Sequence, residues 1–174
     1  ALTLSSLGRD TEALAIYKKA LEFEPRNVNT NTNFGKLLFK LGEVDQAIHF
    51  TKRAISIDPS LTVPNYNLCE MYEKTNQMGM FKRAIITGLN KTTNSASILL
   101  KKALLEFREK QFRASVKTLE SLNSKQLSNQ KKLILHNLLG KNFDKLNNFS
   151  TAFRHFEKAN VYAAMDAEKK KHAC

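Results

Sequence analysis

The stretch LGEVDQAIHFTKRAISIDP, residues 41–59, reads as a copy of LGRDTEALAIYKKALEFEP, residues 7–25. Leu7, Gly8, Ala13, Ala20 and Pro25 recur as Leu41, Gly42, Ala47, Ala54 and Pro59, every pair at one and the same offset. A fixed period of about 34 residues marks stacked repeats, each one supersecondary unit that cannot bury its apolar face alone. The recurring types have physical jobs. Small residues let helix backbones approach closely, and Gly42 and Ala47 are expected where helices touch. Pro25 and Pro59 stop helices, because proline lacks an amide hydrogen and biases its predecessor away from the α region.

Working outward, the pattern divides the chain into five units. They cover about 1–27, 28–61, 62–95, 96–132 and 133–165, followed by a basic tail, 166–174. The first unit carries only its second helix. The second is complete, with Phe34-Gly35 opening its signature and Leu38, Ala47, Ala54 and Pro59 following. The fifth is also clear, through Leu139-Gly140, Phe143, Ala152, Phe156 and Ala159. The third keeps Leu68-Cys69 and Tyr72, but Phe81 falls where a small residue is expected. Met78 and Met80, around Gly79, are expected to fill core there. The fourth fits loosely through Ala103, Phe112, Ser115 and Leu119, and three residues beyond the strict period separate it from the fifth.

These residues resemble the tetratricopeptide-repeat family, whose repeats share this period. The resemblance implies an all-α fold, a right-handed α-solenoid of antiparallel helix pairs, as a single domain over 1–174. Helices are expected at 10–24, 30–41, 44–57, 63–75, 77–89, 95–110, 112–122, 130–145 and 149–165. The fifth unit, more narrowly, is similar to the last repeat before the catalytic domain of bacterial tetratricopeptide–sulfotransferase fusions. In that case the catalytic domain would follow residue 174.

Within the second unit, NVNTNTNFG (27–35) places Asn at every second position, the period of a strand. The repeat register overrides that signal and puts Asn29 to Leu41 on a helix, with Asn27 placed to cap it. Asn33 stands directly before Phe34-Gly35, and Asn67 directly before Leu68-Cys69, one period later. The family resemblance implies that first helices line a groove and that this place faces it. An Asn side chain offers a donor and an acceptor, matching a peptide group without reading its side chain. The expected peptide-binding residues are Asn33, Lys36, Lys40, Tyr66, Asn67, Lys101, Arg108, Asn137 and Lys141. The cations among them favour a protein or peptide partner of acidic character. The plain alternative is a solvated helix face in an Asn- and Lys-rich chain.

Composition limits the remaining functions. Apolar residues at 42% and charged residues at 25% describe a globular chain, and only six Gly and three Pro punctuate it. No apolar run reaches the roughly 18 residues that cross a bilayer, so no membrane role is expected. Cys69 and Cys174 make no disulfide framework, which points to a reduced, cytoplasmic protein. No phosphate-binding glycine loop is present, and His49, His136, His155 and His172 lack metal spacing. No catalytic residue, cofactor or metal is therefore expected, and the chain does not read as an enzyme. The net charge of +12 raises a nucleic-acid reading. Its basic residues are dispersed over helix faces, however, which leaves RNA binding the weakest of the alternatives.

Overall fold

The computed structural model describes residues 9–92 and 95–171, the side chains of Lys169, Lys170 and Lys171 excepted. Leu7, Gly8, His172 and Cys174, used in the sequence reading, lie outside the described residues. Helices carry the fold, and the described residues include no strand. In order they are α1 (Asp10–Phe23), α2 (Val28–Lys40), α3 (Val44–Ile57), α4 (Thr62–Lys74) and α5 (Met78–Lys91). Then follow α6 (Ala96–Arg108), α7 (Phe112–Glu120), α8 (Asn129–Lys145) and α9 (Phe149–Lys171), with a 3-10 turn at Ser124–Gln126. The chain forms two compact bodies, Ala1–Ser95 and Ala96–Cys174. In the first, α2 pairs with α3 and α4 with α5, while α1 packs on α2 and α3 on α4. In the second, α6 pairs with α7 and α8 with α9, while α7 and α6 both pack on α8.

The turn inside each pair reveals the repeat better than the side chains do. Gly42, Asn76, Lys110 and Asn147 all have positive φ, at 86°, 55°, 60° and 59°. After each, an amide reaches back to close the preceding helix: Glu43 to Leu38, Gln77 to Tyr72, Gln111 to Glu106 and Asn148 to Phe143, at 2.8–2.9 Å. This six-to-one bond with a left-handed residue is a Schellman closure. The turns at Gly42, Asn76 and Lys110 keep the strict period, and the turn at Asn147 comes slightly late. The delay arises between α7 and α8, where the 3-10 turn sits. The weak third and fourth units thus keep the register.

Gly42 has a different role from the one expected. A Cβ there would meet nothing within 4 Å, so the residue does not let helices touch. It is small because its backbone is left-handed, a conformation that costs an L-residue roughly 1–2 kcal/mol. Lys110 accepts that cost without glycine's relief. Lys110→Gly should therefore raise stability by about 0.5–1 kcal/mol in urea denaturation. A loss of stability would show that the Lys110 side chain contributes more than its backbone strain costs.

Close approach occurs instead at Gly35, Ala47 and Gly140. A Cβ on Gly35 would stand 2.6 Å from Thr51 Oγ1 and 3.0 Å from the Ala47 carbonyl. One on Gly140 would strike the Phe156 ring at 2.6–2.9 Å. Ala47 itself is fully buried. Around these contacts the first body packs Tyr17, Phe34, Leu37, Leu38 and Met71. The Phe34 ring lies 5.9 Å from Tyr17 and meets Phe50 edge-on at 4.7 Å. The second body packs Leu100, Leu119, Leu135, Leu138 and Leu139. A buried polar chain crosses it: Asn142 Nδ2 donates to Ser115 Oγ (3.0 Å), and Ser115 Oγ donates to the Ala103 carbonyl (2.8 Å).

Two further expectations change. Helix α9 runs on to Lys171 instead of stopping at 165. Its last turns, rich in Ala, Glu and Lys, contain no Gly or Pro to end them. Met80 is 37% exposed and does not fill core. Phe81 beside it is fully buried, at the register that Ala47 holds one period earlier.

Candidate functional site

The Asn-rich stretch separates into three jobs. Asn27 caps α2, its Oδ1 accepting from the Thr30 amide at 2.9 Å and the Thr30 hydroxyl at 3.1 Å. Asn31 is fully buried and staples the loop to the helix: Nδ2 donates to the Pro25 and Asn27 carbonyls, at 3.0 and 2.8 Å. Asn65, one period on, does the same to Pro59 and Leu61, at 3.0 and 2.7 Å. Sequence reading missed this pair, although its spacing was visible. The staple accompanies the helix-stopping prolines, whose loops present carbonyls that need a buried donor.

Asn33 and Asn67 do something else. Asn33 is half-buried on α2 and makes none of the staple bonds. Asn67 on α4 is 7% exposed, and its Nδ2 is enclosed with no hydrogen-bond partner. A buried donor left unpaired costs about 1–3 kcal/mol. The faces carrying these two residues adjoin, because Lys74 of α4 lies 5.8 Å above the Phe39 ring of α2. Lys36 and Lys40 extend the α2 face and are exposed, and Tyr66 flanks Asn67 half-buried. Thr32 turns inward, donating to the Val28 carbonyl at 2.8 Å, and is absent from that surface.

The charge on this face is partly compensated. Lys40 pairs with Asp10 of α1 at 2.8 Å, and Lys74 with Glu70 at 3.0 Å. The Glu70 carboxylate raises the Lys74 pKa by hydrogen bonding and by charge. Lys36 is the exposed cation nearest Asn33 in the helical register.

The remaining sequence candidates belong to the second body. Lys101 is half-buried and Arg108 exposed on α6, and both interact with other groups. Asn137 is half-buried and Lys141 exposed on α8. The place equivalent to Asn33 and Asn67 is held there by Lys101 on α6 and by Leu138 on α8, the latter only 6% exposed. The Asn pair is thus a feature of the first body.

Titratable clusters were also hidden from the sequence. His136 of α8 and His155 of α9 face each other with Nδ1 atoms 3.0 Å apart. His155 stacks on Phe143 at 5.5 Å, and His136 on Tyr162 at 5.6 Å. Burial holds both imidazoles below the ordinary range, His136 at about 4, and the cations Lys158, Lys132 and Arg154 add to the effect. The two histidines lie on different helices with a turn between them, a separation without a sequence signature. No group of three or more metal-ligating side chains occurs among the described residues. No helix there is long and apolar enough to cross a membrane.

Comparison with known families matches residues 2–42 to a TPR repeat pattern and residues 28–61 to a tetratricopeptide repeat pattern. Among curated proteins, none matches by sequence. Solved structures match over nearly the whole chain. The crystal structure of MamA superposes with a TM-score of 0.73 at 19% identity, over 95% of each chain. The 41-end form of MamA from Desulfovibrio magneticus RS-1 gives 0.72 at 16%, over 94% of this chain and 91% of that one. A chain of the APC/C hetero-tetramer Cut9–Hcn1 gives 0.79 at 13%, over 92% of this chain but 32% of its own length.

Proposed function

We propose that the chain, a tetratricopeptide-repeat solenoid by its repeat patterns and fold, is a protein-interaction scaffold that holds an extended segment of a partner on the first-helix face of its first body. One observation carries the reading. Asn67 keeps a buried amide donor without a partner, one repeat after Asn33. Folding leaves this group unpaired, and a rotation of the Asn67 side chain on binding would offer it to a partner's backbone carbonyl. Rotation about the terminal torsion exchanges the two amide atoms, so the side chain can answer either a carbonyl or an amide. Tyr66 and Phe39 supply apolar area beside it. Lys36 supplies the preference for acidic segments, a modest one, because an exposed cation is screened by water and salt.

In this reading the chain performs no chemistry itself. Its contribution is a rigid surface, built on helices that stack through Gly35 and Ala47. Its partner is a protein or peptide; the dispersed positive charge adds a small electrostatic gain in association rate.

The test needs a partner, isolated by pull-down with the intact chain. Asn33→Ala combined with Asn67→Ala should weaken that complex at least tenfold, or about 1.4 kcal/mol. Lys19→Ala with Lys117→Ala, on exposed positions of second helices, should change it little. The reading fails if the control pair proves more damaging than the Asn pair.

A further inference from the structure

The second and third repeats differ in one place that leaves a hole. In the second repeat, the trough between α1 and α3, floored by α2, is filled by aromatic rings. Phe50 meets Phe34 edge-on at 4.7 Å, and Phe34 meets Tyr17. One period later the equivalent positions are Ala84 and Leu68. The register is secure, because the staples of Asn31 and Asn65 and the turns at Gly42 and Asn76 obey the same offset. Phe50 thus corresponds to Ala84 and Phe34 to Leu68. Two rings have become smaller side chains at once.

The result is an open cavity of about 160 Å³ between α3 and α5, over α4. Ile55, Leu68, Tyr72, Met80 and Ala84 form its apolar wall. A cavity on the order of 150 Å³ is enough to admit a benzene ring. Lys52, Arg83, Asn65 and Thr87 complete the lining, and no carboxylate is part of it. Lys52 lies 6.0 Å above the Tyr72 ring, which holds the cation at the cavity. Met80, 37% exposed, is an unbranched thioether that adapts to the shape of an incoming group.

We infer that this cavity, on the second-helix side of the first body, is a docking site for an aromatic side chain of a partner protein, carried next to a carboxylate. The fold itself indicates the occupant. The neighbouring repeat places a phenylalanine ring at the equivalent position, so the missing volume has the size and chemistry of that ring. The paired cations select an acidic neighbour for it. The surface is separate from the Asn33–Asn67 face, so a partner could engage either without the other.

The probes are three capped tripeptides, Glu-Phe-Glu, Gln-Phe-Gln and Glu-Ala-Glu, titrated into the isotope-labelled full chain and followed by amide NMR shifts. Glu-Phe-Glu should shift the amides of Leu68, Ala84 and Thr87 saturably, at least fivefold tighter than either of the others. Ala84→Phe restores the ring of the preceding repeat and should abolish these shifts. Lys52→Gln with Arg83→Gln, both at exposed positions, should erase the advantage of Glu-Phe-Glu over Gln-Phe-Gln. Shifts confined to α2 and the Asn67 face would overturn the proposal. So would equal binding of all three peptides, or retention of the Glu-Phe-Glu preference in the Lys52–Arg83 variant.

Discussion

Phe34→Ala should lower the stability of the chain by about 3–5 kcal/mol, a large fraction of what a domain of this size possesses. Phe34 is 2% exposed and touches aromatic rings on both sides, Tyr17 of α1 and Phe50 of α3. Truncation removes its burial and leaves a cavity where three helices meet. Collapse is hindered, because Gly35 beside it already holds α2 against Thr51 and Ala47 of α3. The Thr51 hydroxyl is in turn directed at Met71 Sδ, 3.7 Å away. Urea denaturation would measure the loss, and hydrogen exchange should rise in α1 to α4. A change below about 1 kcal/mol, the ordinary cost of a substitution, would mean that Phe34 does not anchor the first body.

Mild acid should destabilise the second body through the histidine pair. A 3.0 Å contact between two Nδ1 atoms needs one to donate and the other to accept, so the accepting ring must be neutral and the two rings cannot both be protonated. Their pKa values are depressed in the folded chain, His136 to about 4 from the ordinary 6.5. Well above pH 6.5 neither state takes up a proton, and the pair costs nothing. As pH falls below 6.5, the unfolded chain binds protons that the folded chain refuses. Stability is therefore lost from pH 6.5 down to about 4, where the folded state begins to protonate as well. For His136 alone the loss by pH 5 is on the order of 1–2 kcal/mol, the lower end applying to the extent that water screens the ring. The surrounding cations Lys132, Lys158 and Arg154 all act in the same direction. Denaturation midpoints at pH 7.5 and 5.0 would measure it, against His136→Gln with His155→Gln as the reference. The double variant should lose much of the pH sensitivity. An unchanged slope would place the sensitivity elsewhere, among the carboxylates.

The helical repeat was legible in the chain because its determinants are local or strictly periodic. Pro25 and Pro59 end helices wherever they stand. Ala13, Ala47 and Ala152 are small and buried at one register of the repeat, which the buried Phe81 breaks in the third unit. A constant offset therefore exposed the fold even where single residues misled, as the alternating asparagines did. Gly42 was read as special for the wrong reason, since a left-handed turn and a close contact both select glycine. The turns at Asn76 and Lys110 escaped notice because their bond is made by backbone atoms, which tolerate many side chains.

The candidate sites were decided by packing between elements distant in sequence. That Asn31 and Asn65 are structural staples, while Asn67 keeps an unpaired donor, depends on which carbonyls the folded loops bring near. The facing of His136 and His155 follows from how α8 lies on α9, not from their spacing. The cavity over α4 needs Leu68 and Ala84 to be small together. Neither residue signals a hole alone, because either small side chain could be compensated by a larger neighbour across the contact. Periodicity is a property of the chain and can be read along it. Complementarity between surfaces is a property of pairs of residues, and only the folded chain determines which residues are paired.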